Sequence, residues 1–350
     1  MKKILLFGPQ PYGQGGMEKI IHTLTSSVPT IKSLYFNFHN GKNLKTGWLT
    51  RNEILYYPNK FFPRLIQELL LVRQLNHIVK QEKPDIIVCL DDKACLYANQ
   101  VKKANSFKIV TWLHRSIHTF KHKEYFLLAD AHIAISNSIA ENLQIITKSD
   151  KIFLLKNCFD VPFVHLFNNE QKTNDRILYV GRIEYEGQKY LKDLIIALSK
   201  TKETIKLDVI GDGPEIEKHR LKTLISKLKL NNRVYFHGWQ TKPWEYLKNA
   251  NICSIRALCL TSTYEGFPLT IIEALSQGIF VLSSDCPTGP NEIITQQNGK
   301  LFKTHDTDTL AKLINDDNLN NYSHQKIIDS VRDLSKDNYI KKIDTIFNSI

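Results

Sequence analysis

Residues 261–290 read TSTYEGFPLTIIEALSQGIFVLSSDCPTGP. One apolar run, Ala257–Leu260, leads into the stretch, and a second, Ile279–Leu282, lies within it. Between them come a glycine turn and a helical segment opened by Pro268. Proline suits a first helical turn, because its missing N–H would have had no intrahelical partner there. Glu265 falls at the mouth of the turn, and Glu273 lies eight positions on, one to two turns into the helix. The open N–H groups of Leu269 to Ile271 and the positive end of the helix dipole make an anion the natural guest. Taken alone, the two carboxylates also read as a capping charge and a solvated helix residue.

The same grammar runs outward on both sides. RILYVGR (176–182), IKLDVIGDG (205–213) and RVYFHGW (233–239) are strand-like, with the helical patterns QKYLKDLIIALSK (188–200) and PEIEKHRLKTLISKL (214–228) between them. The turn residues Gly181, Gly211 and Gly238 close the strands, and Trp239 follows the last of them. In the N-terminal half, KILLF (3–7) leads into a loop with Gly13, Gly15 and Gly16 and a helix from about Met17. KPDIIVCL (83–90), FKIVTWLH (107–114) and HIAISNS (132–138) are further strands separated by helical patterns. Strands alternating with helices imply an α/β fold with a parallel, doubly wound sheet in each half, whose ligands sit at strand C-terminal ends. Asp91, Asp92 and His114 lie at such ends. The polar, aperiodic stretch DVPFVHLFNNEQKTND (160–175) is the expected domain link. It gives an N-terminal domain over 1–165 and a C-terminal one over 174–335, with a last helix at about 336–350 returning to the first.

Composition narrows the class. A chain of 350 residues, 42% of them hydrophobic, can fill two cores. No apolar run is long enough to span a bilayer, and MKKILLFGPQP reads as a first strand, not a signal peptide. Six scattered cysteines without a Cys-x-x-Cys pair read as buried reduced thiols, which points to the cytoplasm. Residues 1–170 carry 22 Lys/Arg against 13 Asp/Glu, or +9, whereas the remainder carries 25 against 22, or +3. A basic half suits an anionic membrane face or an acidic substrate; no motif for nucleic acid accompanies it. Phe61–Lys80, with apolar residues at 62, 65, 66, 69, 72 and 75, is a basic amphipathic helix. Its apolar stripe either packs on a sheet or docks shallowly on a membrane. His118 and His122 sit at i, i+4 without a third metal ligand, so a solvated face is expected.

The pattern Ser-x-x-Glu-Gly-Phe-Pro-x-x-x-x-Glu-Ala, ending in Gly-Pro-Asn-Glu, resembles the signature of retaining glycosyltransferases with the two-domain GT-B fold, the glycosyl transferases group 1 family. SSDCPTGP (283–290), HGWQTKPW (237–244) and GRIEYEGQKYLKDL (181–194) are similar, more narrowly, to the bacterial lipopolysaccharide 1,6-galactosyltransferases. The resemblance implies two Rossmann-like domains facing across a cleft, the first binding the acceptor and the second a nucleotide sugar. It also implies a hexose, galactose from UDP-galactose, moved onto a sugar of the lipopolysaccharide core at the inner face of the cytoplasmic membrane, with UDP-glucose as the alternative donor.

Residue by residue, the resemblance makes Arg182 and Lys189 the cations of the diphosphate, Glu265 the partner of the donor-sugar hydroxyls, Glu273 that of the ribose, and His114 the active-site histidine. Gly15, Gly16, Gly211, Gly238, Trp239, Gly266, Phe267, Pro268 and Leu269 would complete the donor cradle. Lys189 is expected to open the helix after Arg182, seven positions on, where the broader family has five. The chain is read as holding no Asp-x-Asp, so charge neutralisation falls to Arg182, Lys189 and helix N-termini, and neither a metal nor another cofactor is expected. Two readings of other classes compete. A nicotinamide-dependent sugar-nucleotide oxidoreductase or epimerase lacks the Gly-x-Gly-x-x-Gly fingerprint, and Tyr185-x-x-x-Lys189 spans a loop where that chemistry wants a helix. A non-catalytic sugar-binding protein of two lobes would be exported.

Overall fold

The computed structural model describes residues 2–10, 15–37, 53–56, 59, 61–164 and 175–350. They form two compact units, Met1–Cys158 with Lys336–Ile350, and Phe159–Ser335. Gly13 lies outside the described residues, as does the stretch 165–174 within the polar link.

The first unit begins with β1 (Ile4–Pro9), α1 (Gly16–Ser27), β2 (Ile31–Phe36), β3 (Glu53–Tyr56), α2 (Arg64–Glu82) and β4 (Ile86–Cys89). It continues with α3 (Asp92–Lys102), β5 (Lys108–Leu113), β6 (Ala131–Ala134), α4 (Asn137–Thr147) and β7 (Ile152–Leu154). Among the described residues the sheet has seven parallel strands in the order β3-β2-β1-β4-β5-β6-β7. Its middle strands are buried on both faces, which is why they read as unbroken Ile/Val/Leu/Cys runs and not as alternating ones. Helix starts follow side-chain caps: Asp91 accepts from Ala94 N at 2.8 Å and Ser136 from Ile139 N at 3.3 Å. The strand order changes direction between β1 and β4, the place where doubly wound sheets bind ligands.

In α2 the buried residues are Gln67, Leu71, Leu75, Ile78 and Val79. Of the stripe expected either to pack on a sheet or to dock on a membrane, Leu75 is buried, whereas Phe62, Leu65, Ile66 and Leu69 are exposed, as is Phe61.

The second unit repeats the plan with β8 (Arg176–Val180), α5 (Leu191–Ser199), β9 (Lys206–Ile210), α6 (Glu215–Lys227), β10 (Val234–Phe236), α7 (Pro243–Asn249) and β11 (Ile255–Leu260). It ends with α8 (Leu269–Ser276), β12 (Val281–Ser284), β13 (Gly299–Phe302), α9 (Thr307–Asn315) and α10 (His324–Asp329). Its six strands, all parallel, run β10-β9-β8-β11-β12-β13, with the switch of direction between β8 and β11. Residues 159–164 lie along this unit: Phe159 N donates to Leu334 O at 3.0 Å and Val164 N to Gln277 Oε1 at 2.8 Å. The chain closes with α11 (Lys336–Ser349), which packs on α1 of the first unit through Tyr339, Ile343, Ile346 and Phe347. No helix of the described residues is long and apolar enough to cross a membrane. All six cysteines are free thiols, five of them buried.

Candidate active site

In the second unit the loops after β8, β9, β10, β11 and β12 leave the same, C-terminal edge of the sheet, because every strand is parallel. The two that flank the switch point, after β8 and after β11, meet. Lys189 Nζ lies 2.7 Å from Glu265 Oε1, and both side chains are largely buried, 15% and 7% exposed. Several bonds sew the loops together around this pair. Thr263 N donates to Gln188 O at 2.8 Å, Thr261 Oγ1 to Lys189 O at 3.1 Å, and Gln188 Nε2 to Tyr264 O at 3.1 Å. Lys189 does not open a helix as its position suggested. Tyr190 caps α5 with a left-handed φ of +48°, so Lys189 stays on the loop, its N–H held by Glu184 Oε2 at 2.9 Å.

Arg182 follows β8 directly and is half exposed, braced by Gln188 Oε1 at 2.6 Å and Glu184 Oε1 at 3.3 Å. Its carbonyl accepts from the buried Tyr179 hydroxyl, whose pKa burial pushes up. Glu184 and Gln188 thus orient the two expected cations, and neither was foreseen; both lie within the quoted loop motif. The ring of Tyr185 is covered by Arg220 at 4.1 Å and faces Lys192 at 5.5 Å.

Glycine decides how closely these loops pack. Gly211, with φ +151°, comes so near the β8 loop that a Cβ would overlap Gly181 O, and its N–H donates to Gly238 O at 2.9 Å. Trp239, next in line, is 39% exposed. After β11, Pro268 is the N-cap of α8 and not its first residue, and Leu269 begins the helix. The N–H of Ile271 is taken by Pro268 O at 3.1 Å, which leaves a shorter run of open donors than the sequence suggested. Gly289, with φ +94°, lies against this turn, where a Cβ would meet Pro268 Cδ at 2.8 Å and Gly266 O at 3.0 Å. Thr288 Oγ1 donates to Glu265 O, so the CPTGP segment buttresses Glu265-Gly266-Phe267-Pro268 from behind. Burial, and after it the Glu265 carboxylate, pushes the Cys286 thiol up to about 12. Glu273, 6% exposed in α8, accepts from Trp244 Nε1 at 3.1 Å.

The remaining candidates lie in the first unit. His114 follows β5, its ring 4.3 Å from that of Trp112, and neither ring nitrogen has a hydrogen-bond partner among the described residues. Burial lowers its pKa to about 3, so the ring is neutral. Gly15 caps α1 and Gly16 begins it. The space beside Gly15 is filled by Glu18, whose Oε2 would lie 2.6 Å from a Cβ there, so the glycine makes room for a side chain of its own helix. Asp91 and Asp92 act locally: burial raises Asp91 to about 6, and Asp92 Oδ2 accepts from His122 N at 2.9 Å. His118 and His122 occupy separate short turns, and His122 pairs with Glu124 at 3.1 Å.

Among the described residues no group of three or more His, Cys, Asp or Glu side chains could hold a metal ion. An Asp-x-Asp does occur beyond the quoted motifs, at Asp306-Thr307-Asp308, so its absence cannot argue for metal independence. Its residues are engaged at the start of α9. Asp306 accepts from Thr309 N at 2.9 Å, and Asp308 pairs with Lys200 at 2.9 Å.

Comparison with known proteins agrees with this architecture. A family described as "Glycosyl transferases group 1" matches residues 162–334. A lipopolysaccharide 1,6-galactosyltransferase of Salmonella typhimurium is 36% identical over 315 residues, 86% of this chain and 85% of that protein. One of Escherichia coli is 33% identical over 321 residues, 89% and 88% of the two chains. A solved lipopolysaccharide outer core galactosyltransferase, WaaB in its apo form, superposes with a TM-score of 0.83 at 32% identity over 99% of both chains. The Anabaena protein HepE, solved with UDP, shares the fold at a TM-score of 0.79 and 18% identity, covering 99% of this chain and all of its own. The chain belongs to the glycosyl transferases group 1 family and is a glycosyltransferase with the GT-B fold.

Proposed function

We propose that the enzyme transfers galactose from UDP-galactose to a sugar of the lipopolysaccharide core, with retention of configuration and without a metal. The observation that carries the donor site is the Lys189–Glu265 pair at the switch point of the second unit, with Arg182 on the same loop. Cleavage of the bond from C1 of the sugar to the diphosphate develops positive charge on the sugar ring and negative charge on the leaving UDP. Arg182 and Lys189 meet the negative charge, together with the start of α8. A preorganised donor of this kind is worth about 3 kcal/mol in the transition state. Glu265 accepts from donor-sugar hydroxyls, and Glu273 from those of the ribose. The acceptor hydroxyl attacks on the face that UDP leaves, and the departing phosphate takes its proton. No carboxylate base is then needed. Galactose and the lipopolysaccharide acceptor are supported by the likeness to the two 1,6-galactosyltransferases over most of their length. A screen of UDP-galactose, UDP-glucose and UDP-N-acetylglucosamine by UDP release tests the reading. Galactose should be preferred at least tenfold, and a preference for glucose would overturn that part of it.

The first unit is proposed to bind the acceptor, with His114 as its contribution to the reaction, at the inner face of the cytoplasmic membrane. Support comes from the +9 charge on residues 1–170 and from α2, which exposes Phe61, Phe62, Leu65, Ile66 and Leu69 at its N-terminal end. Arg64 beside them is paired with Glu68 at 2.9 Å, which itself takes Lys93, so apolar contact and not charge leads there. Burying one such side chain fully contributes about 1.5–3 kcal/mol. Flotation with anionic liposomes should be lost on L65E/L69E and only weakened by salt. Binding unaffected by that double change would remove α2 from the membrane surface.

A further inference from the structure

The indole of Trp244 is 2% exposed, and its N–H is directed at Glu273 Oε2, 3.1 Å away. A buried indole N–H requires an acceptor, and the Glu273 carboxylate supplies it. The indole is the better fixed of the two. It sits in α7, and the same short helix is anchored through Tyr246, whose hydroxyl meets His237 Nδ1 at 3.0 Å. His237 Nε2 in turn meets Asp208 Oδ1 at 2.8 Å, and Asp208 Oδ2 takes Arg176 at 2.5 Å. These groups tie α7 to β8, β9 and β10.

We propose that Trp244 is a positioning residue for the nucleotide: its indole N–H sets the plane of the Glu273 carboxylate before the donor arrives, so that the vicinal hydroxyls of a ribose meet an aligned acceptor. The proposal rests on the reading of Glu273 as the ribose-binding carboxylate. Hydrogen bonds to a charged group are the stronger kind, and alignment in advance removes the cost of ordering the side chain on binding. The benefit falls on a group of the substrate that does not react, so it belongs in donor KM and not in kcat.

W244F keeps an aromatic ring in the core and removes the donor. Calorimetric titration of the wild-type enzyme and this variant with UDP and with 2′,3′-dideoxy-UDP separates the possibilities. The wild type should prefer UDP. In W244F the Kd for UDP should rise about tenfold while that for the dideoxy nucleotide stays put, so the preference collapses. Equal losses for both nucleotides, or a loss in kcat with donor KM unchanged, would mean a purely structural tryptophan and overturn the proposal. A wild type that does not distinguish the two nucleotides would instead refute the ribose role of Glu273 itself. Should W244F fail to fold, the native protein answers through its indole 15N–1H resonances, of which the chain has four. The Trp244 signal, identified by its shift in E273Q, should move with UDP and stay in place with dideoxy-UDP. A signal indifferent to UDP would refute the proposal.

Discussion

Lys189 Nζ and Glu265 Oε1 lie 2.7 Å apart across the switch point of the second sheet, although 76 positions separate them in sequence. The pair is largely withdrawn from water, so removing one partner strands a charge in a poorly solvated place. Such losses cost about 3–5 kcal/mol, more than the pair itself contributes. Lys189→Ala and Glu265→Ala should each lower the thermal midpoint by several degrees, and the K189M/E265Q double change should lower it less than either. A K189A/E265A double variant whose loss in differential scanning calorimetry equals the sum of the two single losses would show that the two groups do not interact.

Arg182 is half exposed and should behave differently. Arg182→Ala should leave the melting temperature within a degree or so of wild type, because it strands no buried charge. It should lower kcat by about a hundredfold, as the loss of a donor to developing charge does. Glu273→Gln should act mainly on donor KM. Steady-state kinetics in which Arg182→Ala changed KM alone would remove its catalytic role.

The strands, the glycine turns and the repeat of one architecture in both halves were legible because parallel strands buried on two faces read as apolar runs closed by glycine. The residues of the two loops that meet at the switch point can be named from the sequence one by one. Their partners cannot. Trp244 stands in HGWQTKPW and Thr288 in CPTGP, yet nothing local says that the first reaches Glu273 or the second Glu265 O. The first contact exists only once the sheet has gathered β10, β9, β8 and β11, and the second only once β12 lies beside β11. The α2 spacing leaves two places open for its stripe, because a core stripe and a surface-docking one share a period; Phe62, Leu65, Ile66 and Leu69 are exposed. Beside Gly15 lies the Glu18 carboxylate of the same helix, a neighbour that the glycine loop does not announce.

Stability should depend on pH through two histidines of the first unit. Burial lowers His114 to about 3 and His132 to about 4 from an ordinary 6.5. Between those values and 6.5 the unfolded chain binds protons that the folded one refuses, so stability is whole at pH 7 and is lost as pH falls. Asp91, raised to about 6, works in the other sense below that pH, with a smaller displacement. Urea midpoints should therefore drop from pH 7 to pH 5, and His132→Gln should flatten the slope. A midpoint that rises on acidification would contradict the neutral state of these rings.

Assigning the leaving diphosphate to Arg182, Lys189 and the α8 start predicts turnover that survives excess EDTA. Activity abolished by EDTA and restored by Mg²⁺ or Mn²⁺ would return the role to a metal.

Transfer of galactose with its configuration retained leaves a mark on the product. In the proton NMR spectrum of the product formed from UDP-galactose and a lipopolysaccharide core acceptor, a new anomeric signal should carry the small coupling of an α-galactoside, matching the α-linkage of the donor. A β-linked product, or a glucosyl product alone when both donors are supplied, would refute the proposed reaction.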